Sequence, residues 1–235
     1  MTLICIPLIN DTIKGLCESG LLCKEQGADV LEIRLDFLNE SINDLLLNEL
    51  LKLKEKIGLP VIITLRPNWE GGKFEGTEEN RLVIIEKCIN MGFDYIDLEL
   101  NIDNQKLAEL IKKARDKQVK TIVSYHNFQN TPEQDEILEK LKQCSTAGGD
   151  IAKVVVECKT YQDALNTLKA GAKANVLNLS FTVMGMGEFG SETRILSPAI
   201  GCKMVYACVD ENNSVVEGQI EVGTLKEFWE ILDYN

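Results

Sequence analysis

A few residues of chemically capable types stand where the chain has little reason to be polar. Glu32 and Arg34 alternate with apolar neighbours in Leu31-Glu32-Ile33-Arg34-Leu35-Asp36, so three charges share one face at spacing two. Arg66 closes the run Val61-Ile62-Ile63-Thr64-Leu65, and His126, the only histidine, closes Thr121-Ile122-Val123-Ser124-Tyr125. Lys153 interrupts Ile151-Ala152-Lys153-Val154-Val155-Val156. Taken singly, these could be a solvated edge strand, a structural histidine and an edge-strand lysine that blunts aggregation. Taken together they suggest chemistry, because lysine is almost never buried without a partner or a task. A lysine amine in apolar surroundings is driven toward its neutral, nucleophilic form and can condense with a ketone to an imine. The iminium acidifies the neighbouring C–H. A histidine can take that proton near neutral pH and return it to a leaving group. Arginines would hold a carboxylate or hydroxyls. The set points to Schiff-base chemistry at a carbonyl (dehydration, aldol cleavage or isomerisation), with no metal needed.

The elements that must position these residues alternate along the chain. Short β-branched runs cover Thr2–Ile9, Asp29–Phe37, Pro60–Arg66, Phe93–Leu100, Lys120–His126, Asp150–Val156, Asn175–Phe181 and Lys203–Val209. Between them lie amphipathic helical patterns at Ile13–Gln26, Ile42–Lys56, Thr77–Met91, Asn104–Lys117, Pro132–Thr146 and Tyr161–Ala170, then a short helix over Ser191–Ile200 and a last one over Leu225–Tyr234. Gly92, Gly148-Gly149 and Gly171 mark helix ends. Strands joined only by helix-length connections pair in parallel through right-handed crossovers. Eight such units in 235 residues average about 29 residues each, which fits a closed α/β fold of the (β/α)8 TIM-barrel type. A doubly wound open sheet is the alternative. No linker-like segment interrupts the series, so residues 1–235 read as a single domain. A barrel would place its chemistry at the carboxyl ends of the strands, where the singled-out residues fall.

Composition narrows the classes. The formal charge is −12, from 37 Asp plus Glu against 25 Lys plus Arg, which argues against nucleic acid or an anionic membrane surface as partner. A small anionic substrate needs only a local cluster of cations. No apolar run reaches the roughly 18 residues of a membrane span, and Leu3–Ile9 reads as a first strand, so the cytoplasm is the expected location. The eight cysteines form no C-x-x-C pair and read as free thiols; a zinc site is poorly supported. Gly185-Met186-Gly187-Glu188-Phe189-Gly190 matches G-x-G-x-x-G, with Asp210 placed as a ribose-binding acid would be. It comes too late in the chain to open a nucleotide half-domain, so a glycine-rich loop over a barrel mouth is the preferred reading.

Several segments, in this order, resemble the type I 3-dehydroquinate dehydratases of the shikimate pathway. Glu32-Ile33-Arg34-Leu35-Asp36 is similar to that family's E-x-R-x-D strand, and Thr64-Leu65-Arg66 with Glu70-Gly71-Gly72 to its T-x-R…E-G-G loop. Ser124-Tyr125-His126-Asn127-Phe128 resembles S-Y-H-D-F, Ala152-Lys153 resembles its alanine–lysine pair, and 186–194 resembles M-G-x-x-G-x-x-S-R with Thr193 for serine. The resemblance implies a (β/α)8 barrel that converts 3-dehydroquinate to 3-dehydroshikimate without cofactor, as a homodimer, with biosynthesis as its expected use. Lys153 would form the imine and His126 would move the protons with Glu70 supporting it. Glu32, Arg34 and Arg66 would bind hydroxyls, Arg194 the carboxylate, and Gln219 would be a further ligand. The family's S-A-P-G-Q is here Val215-Val216-Glu217-Gly218-Gln219, so Val215 stands in place of the serine, with Ser214 one residue early. Asp97 and Glu99 share a face of the fourth strand, where they either back Lys153 or His126 or form an ordinary polar layer. Two other readings remain: an aldolase-like Schiff-base barrel acting on a keto acid or sugar, and an inactive barrel serving as a binding module.

Overall fold

The computed structural model describes residues 1–210 and 214–234. Strands and helices alternate: β1 (Leu3–Leu8), α1 (Ile13–Glu25), β2 (Val30–Arg34), α2 (Asp44–Ile57), β3 (Val61–Thr64), α3 (Glu78–Met91), β4 (Tyr95–Glu99) and α4 (Asn104–Asp116). The second half follows with β5 (Lys120–Asn127), α5 (Gln134–Thr146), β6 (Ile151–Glu157), α6 (Tyr161–Val176), β7 (Phe181–Met186), α7 (Ser191–Ile195), β8 (Met204–Tyr206) and α8 (Val222–Ile231). All strand pairs are parallel, in the order β7-β6-β5-β4-β3-β2-β1-β8. This is the expected (β/α)8 barrel with one departure from closure. Among the described residues β7 and β8 share no ladder. They meet through the Lys203 N–H donating to the Phe181 carbonyl at 2.8 Å and the Thr182 hydroxyl donating to the Met204 carbonyl. The three-residue β8 pairs with β1.

Alternation sorts the strand residues into two layers. One cluster, including Cys5, Ile62, Ile122, Ile151, Val155, Met184 and Tyr206, fills the barrel interior; a larger one packs the strands' outer faces against the helices. Aspartates just before the even strands pin the lower rim. Asp29, Asp94 and Asp150 accept the backbone N–H groups of Ile4, Val61 and Thr121 at 2.8, 2.9 and 2.7 Å.

Three sequence expectations are corrected. The helix expected to stop at Ala170 runs on to Val176, and Gly171 lies inside it. A Cβ at Gly171 would stand 2.6 Å from Ile200 Cδ1 and 2.8 Å from Val183 Cγ1, so the glycine is there for close packing and not as a cap. The seventh strand accordingly starts at Phe181, leaving Val176 and Leu177 exposed. The helix expected over Ser191–Ile200 ends at Ile195.

Candidate active site

Lys153 projects inward from β6 near the middle of the barrel, 5% exposed. Its Nζ lies 3.2 Å from Asp97 Oδ2, 3.5 Å from Glu32 Oε1 and 4.0 Å from the centroid of the Tyr206 ring. The apolar setting expected for this amine is therefore incomplete. Tyr206, Val155 and Met184 supply apolar walls of the cavity, but inward positions of β2 and β4 supply two carboxylates. Such a pair stabilises a cation at this nitrogen, and serves an iminium as it serves an ammonium.

Beneath the amine runs a buried ion network. Arg66 donates to Asp97 Oδ1 at 2.8 Å, Glu99 Oε1 at 2.6 Å and Ser124 Oγ at 2.9 Å. Arg81, from α3, holds the other Glu99 oxygen at 2.6 Å and reaches the Leu65 carbonyl. Burial alone would raise the Asp97 carboxyl, yet Arg66 and Lys153 overcome it and hold the group well below the usual carboxylate range. Glu99, also buried, is raised despite Arg66 and Arg81. Arg34 is clamped by Asp36 in a two-toothed pair at 2.9 and 2.7 Å. Both arginines line the cavity, so they are pre-oriented, and they offer a ligand only what these pairs leave. Asp97 and Glu99 thus form the direct support of Lys153 and Arg66.

Above the network sit His126, at the end of β5, and Glu70, in a one-turn helix over Asn68–Glu70 after β3. Gly71 leaves this turn at φ 76°, a region that favours glycine, and a Cβ there would meet the Phe128 ring. Phe128 in turn stacks on the His126 imidazole, with centroids 5.8 Å apart. Glu70 Oε2 and His126 Nδ1 face each other at 4.0 Å, both buried and without a hydrogen-bond partner. Burial, then the positive charges of Arg66 and Lys153, hold the imidazole well below its ordinary value of 6.5, so it is a neutral base at pH 7.

The glycine-rich loop builds the opposite wall. Gly185 and Met186 end β7, and the helix that follows has only five residues. A Cβ at Gly190 would meet the Gly185 carbonyl oxygen at 2.5 Å, so these glycines let the loop fold onto the strand. Their carbonyls receive Arg194: its guanidinium donates to Gly185, to Gly190 at 3.2 Å and to Tyr206 at 3.1 Å. Arg194 is 1% exposed, and burial lowers its pKa to about 10. No carboxylate among the described residues pairs with it, in contrast to Arg34, Arg66, Arg81 and Lys153. After β8, Gln219 Oε1 accepts from the Val215 N–H at 2.7 Å and the Ser214 hydroxyl at 3.2 Å. Val215 lines the cavity, whereas the Ser214 hydroxyl is turned into its own loop.

One cavity of about 690 Å³, including its mouth, is lined by Glu32, Arg34, Arg66, Glu70, His126, Lys153, Arg194 and Gln219, whereas Asp97 and Glu99 lie behind its wall. Sequence reasoning missed Tyr206 and Arg81. Tyr206 sits in an apolar run that reads as core, though Met204 and Tyr206 do share one face of that strand. Arg81 lay hidden in an amphipathic helix.

Fold and site together define a (β/α)8-barrel enzyme organised around a buried lysine, a neutral histidine and a buried arginine held by backbone carbonyls. Comparison with known proteins makes this specific: the chain belongs to the type I 3-dehydroquinase family, whose model matches residues 4–235. It is 37% identical over 209 residues to a 3-dehydroquinate dehydratase of Methanococcoides burtonii, covering 89% of this chain and 87% of that one. The corresponding protein of Methanocaldococcus jannaschii is 33% identical over 231 residues, covering 98% and 99%. The solved 3-dehydroquinate dehydratase of Geobacillus kaustophilus superposes with a TM-score of 0.92 at 28% identity, over 99% of this chain and 91% of that one. A 3-hexulose-6-phosphate synthase at 12% identity and a TM-score of 0.64 shares the barrel alone.

Proposed function

We propose that this chain, acting as one catalytic unit, dehydrates 3-dehydroquinate to 3-dehydroshikimate through an imine on Lys153, a step in the shikimate pathway. The observation that carries this reading is the convergence, in one cavity, of the carboxylate-flanked amine, a neutral imidazole and an arginine without a carboxylate partner among the described residues. The Lys153 amine adds to the ring ketone and water leaves, giving an iminium whose charge Asp97 and Glu32 balance. Neutral His126 removes the proton from the adjacent carbon, and those electrons move into the C=N bond to give an enamine. The imidazolium, facing Glu70, then protonates the departing hydroxyl; the enamine expels it as water and becomes a conjugated iminium. Hydrolysis releases the enone and frees Lys153. Arg194 receives the substrate carboxylate, Glu32, Arg34 and Arg66 meet its hydroxyls, and the Gln219 amide adds a contact from the lid.

The test is mass spectrometry of intact protein and peptides after adding 3-dehydroquinate and borohydride, which reduces an imine to a stable amine. An adduct mapped to Lys153 supports the mechanism. Binding without an adduct points to an inactive module, and an adduct formed only with other keto acids or sugars points to an aldolase-like barrel. We also propose a homodimer in the cytoplasm. The eight cysteines are free, as a reducing compartment keeps them, and Tyr161, Leu165 and Val176 offer an exposed apolar side of α6 for a second copy. Light scattering checks the mass. Among the described residues no helix is long and apolar enough to cross a membrane.

A further inference from the structure

Glu70 stands on a one-turn helix and has two carboxylate oxygens with different surroundings. Oε2 faces His126 Nδ1 across 4.0 Å, and neither atom has a partner. Oε1 accepts a hydrogen bond from the Asn101 side-chain amide at 2.8 Å. Asn101 belongs to the turn after β4, outside the cavity, and lines a surface groove between α4 and α5. We propose that Asn101 is a positioning residue for proton transfer: its amide anchors one oxygen of Glu70 so that the other is aimed at His126. This rests on reading His126 as the proton carrier.

The geometry explains why an anchor is needed. A gap of 4.0 Å is beyond hydrogen-bond reach, and a swing of about 1 Å about the Asn101 bond would close it once Nδ1 carries a hydrogen to give. The imidazolium formed in the reaction is opposed by Arg66, Lys153 and Arg34 and favoured by Asp97. An ionised Glu70 is the counter-charge nearest to it. Glu70 itself is raised by burial and by Glu99 and Asp97, while Arg66 and the Asn101 amide act in the other direction. Removing the amide therefore weakens both the aim of the carboxylate and its ionisation.

Asn101 is exposed, so substitutions there leave the core intact. The experiment is the pH profile of kcat and kcat/KM for Asn101→Ala, Asn101→Asp and Asn101→Lys, with borohydride trapping at Lys153 in each. The alanine variant should lose about tenfold in kcat with KM within about twofold, in keeping with a hydrogen bond to a charged group. Protonation of Glu70 on the acid side removes the counter-charge, so the acid limb should move to higher pH by about half a unit in the alanine variant. It should move further in the aspartate variant and the opposite way in the lysine variant. Profiles that match the wild type, or that shift alike whatever the charge, overturn the assignment of Asn101. Failure of trapping in the wild type overturns the imine reading beneath it.

Discussion

Replacing Lys153 with methionine keeps most of the side chain's bulk and removes its charge. In the wild type the amine lies 3.2 Å from Asp97 Oδ2 and 3.5 Å from Glu32 Oε1, with both carboxylates buried. At an effective dielectric constant of about 20, attraction at such distances is about 5 kcal/mol per pair. Desolvation of the amine and repulsion from the arginines offset part of this. Breaking a buried pair from one side costs about 3–5 kcal/mol. The loss falls unevenly, because Asp97 keeps the Arg66 guanidinium at 2.8 Å while Glu32 keeps the neutral hydroxyls of Thr64 at 2.9 Å and Tyr206 at 3.5 Å. Adding Glu32→Gln to Lys153→Met should then restore about 1–2 kcal/mol, a coupling expected of groups in contact. Urea unfolding at pH 7, followed by circular dichroism, measures each corner of the cycle, and appearance of the enone product measures activity. Both Lys153 variants should be inactive. A Lys153→Met protein within about 0.5 kcal/mol of wild type, or a double variant that loses the sum of the two single changes, would refute the paired amine.

Arg194→Lys keeps the charge but not the fork, so KM should rise about tenfold or more with a smaller change in kcat, measured by steady-state kinetics. Because the folded His126 pKa lies below 6.5, the unfolded chain takes up a proton that the folded chain refuses as pH falls through that value. Stability should therefore decline on the acid side of pH 6.5, and His126→Gln should flatten the decline in urea midpoints taken at neutral and mildly acid pH. Gly72→Ala would put a Cβ 2.1 Å from the Arg66 carbonyl oxygen. Displacing the Glu70 turn should cost about 1–3 kcal/mol, seen as a lower Tm and a lower kcat.

The barrel was legible because eight β-branched runs separated by helix-length patterns leave few other parallel arrangements. The site was legible for a related reason. Charges at spacing two in β2, and a lysine amid valines in β6, cannot be packed as ordinary core, so they had to face something polar. What escaped the sequence depended on neighbours far along the chain. Lys153 looked apolar locally, and only the registry of β2 and β4 around the barrel sets Glu32 and Asp97 against it. Gly171 carries the signature of a helix stop, and only the approach of Ile200 and Val183 shows why a glycine continues the helix. The G-x-G-x-x-G pattern was likewise ambiguous until its carbonyls were seen converging on Arg194.

Arg194 has a second consequence. Its guanidinium bonds the Gly185 carbonyl on β7 and the Tyr206 carbonyl on β8, the two edges that share no ladder. The side chain proposed above to receive an anion is therefore also a rivet across the seam between β7 and β8. On that proposal occupancy and seam stability would be linked: a carboxylate that binds the riveted arrangement would stabilise the seam, and the seam would tighten the carboxylate by the same factor. In amide hydrogen exchange a bound carboxylate should protect Lys203, whose N–H bonds the Phe181 carbonyl across the seam, beyond its effect on the far side of the barrel. Substitutions that loosen the seam far from the cavity should weaken anion binding without touching the anion.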